Sequence, residues 1–158
     1  SCARKGGAMR RISAPVVVAM AVLLLSAAGC GDDDDDEGAE VDVVLSEFIV
    51  EPAEDSAAAG EVTFALDNQG GETHEFVVVE AASAADLPVD DDGAFDEETF
   101  GEDNVLGEVE ELEAGDTAEL TLDLEAGEYL LLCNVVEEED GEVESHFSEG
   151  MHTTFTVE

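Results

Sequence analysis

The amino-acid sequence predicts an all-β fold, a β-sandwich or barrel, for residues 41–158. Two observations support this prediction. The apolar residues come in short runs, and Gly, Asn and Asp interrupt those runs where turns would fall. Short strands separated by turn signals are typical of a sandwich or a barrel, and the segment is long enough for one domain with a core.

The individual strands follow from the spacing of apolar residues. The segment EVTFALDNQGG (61–71) alternates large apolar side chains with polar or small ones, which predicts a half-buried strand and then a turn. The segment HEFVVVEA (74–81) is apolar on both faces, which predicts a strand covered on both sides. The other predicted strands are 41–52, 117–124, 127–136 and 151–158.

Residues 82–116 are predicted to be irregular and acidic. A short helix is expected to begin in AASAADLP (81–88), and DDDGAFDEETFGEDN (90–104) reads as a loop. An EF-hand calcium loop is excluded: with Gly93 at position six, positions one and twelve fall on Pro88 and Thr99, where oxygen ligands and a bidentate Glu are needed. Weak cation binding in this loop remains open.

The first 29 residues are predicted to be a secretory signal peptide. All four basic residues lie within the first eleven positions, and the apolar run APVVVAMAVLLLSAAG follows. This run is too short and interrupted for a transmembrane helix. The residues LSAAGC resemble a bacterial lipobox, which implies that Cys30 is lipidated and becomes the first mature residue; ordinary secretion with cleavage near Ala28 is the alternative. Met9 is a plausible translation start.

Three segments follow from this interpretation: a lipoprotein signal peptide at 1–29, an acidic tether at 30–40 and the β domain at 41–158. The tether holds five consecutive Asp residues, which extend by repulsion and cannot form a core. Anchoring by lipid places the domain on the extracytoplasmic face of the cell membrane.

Charge excludes several functions. All 43 acidic residues follow the signal peptide, and no Lys or Arg accompanies them. Binding to nucleic acid needs cations that neutralise phosphate, so it is excluded, and docking on an anionic membrane surface is disfavoured. Salt screens such self-repulsion, so we expect a saline, halophilic setting.

A group of soft donors is the main candidate for chemistry. Once Cys30 is lipidated and the signal peptide is removed, Cys133 is the only thiol, so no intramolecular disulfide can form. It is either a buried core cysteine or a metal ligand. Together with His74, His146 and Met151 it forms the donor set of blue-copper sites, two imidazoles and a thiolate with a weak axial thioether.

Four stretches around these residues resemble a known family. They are GEVTFALDNQGGETHEF (60–76), EAGEYLLLC (125–133), HFSEGM (146–151) and GMHTTFTVE (150–158). Together they resemble the second strand and first His ligand, the strand that ends in the Cys ligand, the His and Met ligands, and the closing strand of a cupredoxin of the plastocyanin/azurin type.

The resemblance implies a Greek-key β-sandwich that binds one mononuclear type 1 copper. His74, Cys133 and His146 would be the equatorial ligands and Met151 the axial one, and the copper would carry single electrons. Two features depart from the family pattern: twelve residues separate Cys133 from His146, and Glu75 stands where many members have Asn.

Alternatives at the same residues remain. A zinc site of Cys, His and His is possible in principle, although Met is a poor zinc ligand. A Cys–His nucleophile is disfavoured, because surrounding carboxylates raise the pKa of a thiol. A binuclear copper-A centre needs two cysteines. His152 alternates with Met151 on the last strand, so we expect it to point away from the metal.

The sequence therefore predicts a membrane-tethered, extracytoplasmic blue-copper electron carrier that is monomeric and not an enzyme. The resemblance implies redox partners such as c-type cytochromes or a terminal oxidase, and a basic docking patch on the partner would suit the charge. Two alternatives are a copper storage, delivery or sensing lipoprotein without redox turnover and a surface interaction module without metal.

Overall fold

The computed structural model of the protein describes residues 38–139 and 141–158. The predicted signal peptide (1–29), the lipidation site Cys30 and most of the tether lie outside the described residues, so those predictions stay predictions. Among the residues described, no helix has the length and apolar character needed to cross a membrane.

Eleven strands make up most of the described chain, which confirms the all-β prediction. In chain order they are β1 (Ala39–Ser46), β2 (Ile49–Pro52), β3 (Ser56–Ala57), β4 (Gly60–Asn68), β5 (His74–Glu80), β6 (Val105–Leu112), β7 (Thr117–Leu124), β8 (Gly127–Leu132), β9 (Val136–Glu139), β10 (Glu142–Ser145) and β11 (His152–Val157).

The strands form two main sheets, as a sandwich requires. One sheet has the order β2-β1-β4-β7, and the other has the order β3-β11-β8-β5-β6. The pairs β1–β4 and β3–β11 are parallel, and the other pairs are antiparallel. Because β4 pairs with β7 and β5 with β8, chain connections cross between the sheets, as in a Greek key. A separate hairpin joins β9 to β10.

The main core lies between the two sheets. In β4, Val62, Phe64 and Leu66 are buried while the residues between them are partly exposed, which confirms the predicted alternation. Burial of every second side chain follows from the two-residue period of a strand. Phe76 and Phe155 meet Phe64 from the opposite sheet, with ring centroids 5.4 Å apart in both pairs.

A second core covers the other face of the five-stranded sheet. Val77, Val79, Leu130 and Leu132 pack there against side chains from the loops, which are Leu87, Phe95 and Phe147. This arrangement confirms the prediction that β5 is buried on both sides. Leu87 and Phe95 come from the segment between β5 and β6. This segment contains a 3-10 helix at Ala84–Asp86, the short helix α1 (Glu97–Phe100) and a second 3-10 helix at Glu102–Asn104.

Several sequence-based assignments are wrong. The strand predicted at 127–136 ends at Leu132, and Val136 begins a separate hairpin. The stretch 90–104, predicted to be a loop, contains α1 and a 3-10 helix. The single strand predicted at 41–52 is two strands, β1 and β2, because the chain turns at Glu47 and Phe48, and Phe48 adopts a φ of 59°. The region 82–116, predicted to be irregular, contains β6, whose own exposed face is rich in Glu and hides the strand pattern. The two-residue strand β3 is too short for any pattern to reveal.

Candidate metal centre

Three of the four predicted ligands converge at one end of the sandwich. The Nδ1 atoms of His74 and His146 lie 3.3 Å apart. The Sγ atom of Cys133 lies 4.0 Å from Nδ1 of His74 and 3.5 Å from Nδ1 of His146. All three side chains are fully buried, and the three donor atoms form a closed triangle that could hold a metal ion.

The ends of three strands place these donors. His74 begins β5, Cys133 follows β8 directly, and His146 follows β10 directly. Residues 146–151 then turn back toward the sheet. The N–H of Met151 donates to the carbonyl of His146 at 2.9 Å, and the N–H of Cys133 donates to the carbonyl of Met151 at 3.0 Å. The backbone therefore joins the segments that carry Cys133, His146 and Met151.

Of the twelve residues between Cys133 and His146, residues 136–145 form the acidic hairpin, which comprises β9, β10 and the turn between them. Val136 pairs with Ser145 at its base, and the N–H of His146 donates to the carbonyl of Val135 at 2.9 Å. Because the two ends of the hairpin are adjacent, its length does not move the thiol away from the imidazole.

Sequence reasoning missed Asn68, which shapes the loop before His74. Its side chain is fully buried, and its Nδ2 donates to the carbonyls of Glu72 and Leu112 at 2.8 Å each. Its Oδ1 accepts from the N–H of Gly70 at 3.0 Å. An Asn in the turn sequence DNQGG was the available signal, because Asn side chains commonly bond to nearby backbone.

Gly70 is required by close packing against His74. A Cβ atom at position 70 would lie 2.9 Å from Nε2 of His74 and 3.2 Å from Oδ1 of Asn68. Both neighbours are buried and cannot move freely. The loop backbone therefore lies directly against the imidazole and limits its rotation.

The size of the triangle fits a metal ion. A trigonal ion with bonds of about 2.0 Å to nitrogen and about 2.3 Å to sulfur separates its two nitrogens by about 3.5 Å and each nitrogen from the sulfur by about 3.7 Å. The observed separations are 3.3, 3.5 and 4.0 Å. Two imidazole nitrogens and one thiolate, held this way with a buried methionine nearby, fit one mononuclear type 1 copper ion.

Burial sets the protonation of the metal-free donors. It raises the pKa of Cys133 to about 11, despite a hydrogen bond from the N–H of Glu75 to Sγ at 3.3 Å. It lowers the pKa of His74, and the charge of a protonated His146 lowers it further. A thiol and a neutral imidazole are therefore favoured, and a metal that binds must displace the thiol proton.

Glu75 and Asn134 each follow a predicted ligand in the sequence and form polar contacts beside the site. The carboxyl group of Glu75 is partly buried, and this burial together with the negative charges of Glu97 and Glu108 raises its pKa to about 7. Asn134 exchanges two hydrogen bonds with the backbone of Phe95, at 2.8 and 3.0 Å. Asn134, the residue after Cys133, thus links the site by hydrogen bonds to the loop that packs on the five-stranded sheet.

Met151 and His152 differ in their surroundings. Met151 is fully buried in the core cluster that also contains Cys133. The ring of His152 packs against Phe147 instead, with centroids 5.3 Å apart, on the side of the second core. His152 lies outside the group of donors formed by His74, Cys133 and His146.

Comparison with known proteins gives a family match and structural neighbours. A family model described as a cupredoxin-like domain matches residues 16–143, a span that includes His74 and Cys133 and ends before His146. No curated protein sequence matches the chain.

Among solved structures, the chain is similar to dithionite-reduced auracyanin from the photosynthetic bacterium Roseiflexus castenholzii, with 20% identity over 77% of this chain and 99% of that one and a TM-score of 0.57. Auracyanin B is 24% identical over 75% and 88% of the two chains, with a TM-score of 0.50. Rusticyanin from Thiobacillus ferrooxidans is 17% identical over 77% of this chain and 79% of that chain, with a TM-score of 0.48. The auracyanins share the fold of the described domain.

Proposed function

Because the chain belongs to the cupredoxin-like domain family, we propose that it binds one type 1 copper ion and carries single electrons. His74, Cys133 and His146 would hold the ion in this proposal, with Met151 as a fourth, weaker donor. The observation that carries it is the buried triangle of two Nδ1 atoms and one Sγ atom, 3.3 to 4.0 Å apart.

Copper in such a site supplies a one-electron couple between Cu(II) and Cu(I). The chain holds the donors in place in both states. His74 is held between the Asn68 loop and β5, and the hydrogen bond from the N–H of Glu75 fixes the position of Sγ. The fully buried donors exclude water, which limits the rearrangement that each change in charge would otherwise require.

A short path connects the site to solvent. The ring of Phe48 meets the ring of His146 edge to face, with centroids 5.5 Å apart. Glu72 approaches the same imidazole from the loop, and both Phe48 and Glu72 are partly exposed. One layer of side chains therefore separates the buried imidazole from a docking partner, which favours electron transfer at this end of the sandwich.

The location and partners of the domain are part of the same proposal. Lipidation of Cys30 would tether the domain to the extracytoplasmic face of the membrane in a saline setting. The chain would act as a monomer and would dock redox proteins, such as a c-type cytochrome or a terminal oxidase, through a basic patch on the partner. The excess of 43 acidic over 4 basic residues supports such a partner.

Copper titration of the full chain tests this function. We expect one Cu(II) per chain to give an intense visible thiolate-to-copper band, and we expect this band to be lost and recovered repeatedly with a small-molecule reductant and oxidant. Cys133→Ser should abolish the band, whereas Val135→Ala, a neighbouring substitution that keeps the backbone bond to His146, should retain it.

Three other results would contradict the proposal in different ways. A blue protein that cannot be cycled would favour copper storage or delivery. Metal uptake without colour in the wild type would favour a different ligand set. A wild-type chain that takes up no copper would leave only a surface interaction role.

A further inference from the structure

A second set of metal donors lies on the outer side of His146. Its Nε2 atom, which points away from Cys133, lies 3.7 Å from Oε2 of Glu72. One donor atom from each of Glu72, Glu137 and His146 lies within 4.8 Å of the other two. Glu137 belongs to β9 of the acidic hairpin, so the set joins the hairpin to the loop before β5.

Two enclosed atoms in this set have no hydrogen-bond partner among the residues that the structure describes. The side chain of His146 is 0% exposed, and its Nε2 makes no hydrogen bond. The side chain of Glu72 is 39% exposed as a whole, but its Oε2 atom is enclosed and also makes no hydrogen bond. Buried polar atoms are nearly always satisfied, so a nitrogen and an oxygen left facing each other indicate a place for a ligand.

The negative charge around these two atoms favours the binding of a cation. Glu47, Glu137 and Glu144 all act electrostatically on Glu72, and the chain has no Lys or Arg after residue 11. Within the hairpin, Glu137 stands directly opposite Glu144 in the strand register. Like charges in opposite positions destabilise a two-stranded ribbon, and a bound cation would relieve that repulsion.

We propose that Glu72, Glu137 and Nε2 of His146 form an outer site for a divalent cation of the zinc class. One imidazole nitrogen and two carboxylates suit zinc, whereas calcium and magnesium prefer oxygen donors alone. The ring of His146 would then serve two sites, the triangle through Nδ1 and the outer site through Nε2. The shared use of the His146 ring depends on the proposed copper site, whereas the outer site itself does not.

Binding exchanges one proton for one metal ion. If copper were bound to Nδ1, the remaining imidazole proton would be on Nε2. A zinc ion that bound to Nε2 would displace this proton to solvent, and neither metal would change its oxidation state. The outer ion also links Glu137 to Glu72, so it holds the hairpin against the loop that precedes His74.

Zinc titration of the copper-loaded full chain tests the outer site. In 1 M NaCl, which screens diffuse binding to surface carboxylates, we expect one saturable Zn²⁺ per chain with release of about one proton, together with a shift of the visible band. Calorimetry in buffers of different ionisation enthalpy measures both the stoichiometry and the proton. Glu72→Gln and Glu137→Gln should each weaken zinc binding at least about tenfold.

Glu138→Gln is the matched control, because it removes the same charge from the next, exposed residue of β9. It should change zinc affinity less than about twofold, as expected for a carboxylate that is not a ligand. Absence of a saturable site, or equal weakening by all three substitutions, would overturn the proposal.

The copper site and the outer site can fail separately. If the wild type takes up no copper, the proposed function falls, and zinc titration of Cys133→Ser, which lacks the thiol of the triangle, tests the outer site alone. Saturable binding that Glu72→Gln abolishes in this variant would support the outer site, and its absence would overturn it.

Discussion

The two sides of His146 lie in opposite environments. Its inner nitrogen faces Cys133 and His74 inside the buried core, where the neighbouring side chains are aromatic and aliphatic. Its outer nitrogen faces Glu72 under the acidic hairpin, where the surrounding charge is entirely negative. The imidazole of His146 thus separates a group of buried donors from a group of carboxylates.

The difference shows which forces control each side. On the inner side, burial raises the pKa of Cys133 and lowers that of His74, so packing decides the state of the donors. On the outer side, partly exposed carboxylates remain close to solvent and respond to salt and cations. Substitutions on the inner side should therefore lower the free energy of unfolding strongly, and substitutions on the outer side should lower it only slightly.

The largest loss of stability should come from substitutions in the main core. Phe64→Ala removes a fully buried ring that contacts Phe76 and Phe155, and should lower the free energy of unfolding by about 3–5 kcal/mol. Val143→Ala in the acidic hairpin, at a side chain 50% exposed, should change it by less than about 0.5 kcal/mol. Denaturant unfolding of both variants in high salt measures the contrast, and similar losses would refute it.

An intermediate effect is expected at Asn68. Asn68→Ala leaves the buried carbonyls of Glu72 and Leu112 without a donor and frees the N–H of Gly70, which should cost about 1–3 kcal/mol of stability. Because the same loop positions His74, copper affinity should fall about tenfold or more. Gln69→Ala, at an exposed side chain that bonds only to partly exposed Asp67 among the contacts described, should alter neither stability nor copper affinity. Equal effects would contradict the role assigned to Asn68.

The smallest effect concerns the pH dependence of the metal-free protein. The pKa of Glu75 is about 7 in the fold and near 4.5 when the chain is unfolded, so the folded form binds more protons between these values. Stability should therefore fall as pH rises from about 4.5 to about 7. Glu75→Gln removes this loss and should gain about 1–2 kcal/mol over the wild type at pH 8, allowing for partial solvent screening, with no gain at pH 4.

Thermal unfolding across that pH range measures the gain. Glu80→Gln, at an exposed position of the same strand, is the control and should follow the wild-type profile within about 0.5 kcal/mol. A gain for Glu75→Gln that is as large at pH 4 as at pH 8 would show that ionisation is not its cause.

The sandwich was predictable from the sequence where one face of a strand is apolar. The alternation in β4 and the apolar run of β5 identified their buried faces because solvent and core lie on opposite sides of each strand. The same reasoning failed for β6, where Glu alternates with small or aliphatic residues at an edge of the sheet, and for the acidic hairpin, which packs almost no apolar surface.

The site was predictable from residue types and less so from contacts. Donor chemistry and the family resemblance predicted that His74, Cys133 and His146 belong together, and the structure brings the donor atoms of these three side chains close to one another. Neither the approach of Glu72 to Nε2 of His146 nor the bonds of Asn68 could be predicted, because they depend on how the loop and the hairpin fold over the strand ends. Local patterns do not record such long-range contacts.

X-ray absorption at the copper edge of the loaded full chain tests the central claim most directly. The triangle of Cys133, His74 and His146 predicts one sulfur and two imidazole nitrogens bound to a single copper, with the sulfur lost in Cys133→Ser. A copper surrounded only by nitrogen and oxygen donors in the wild type would contradict the account.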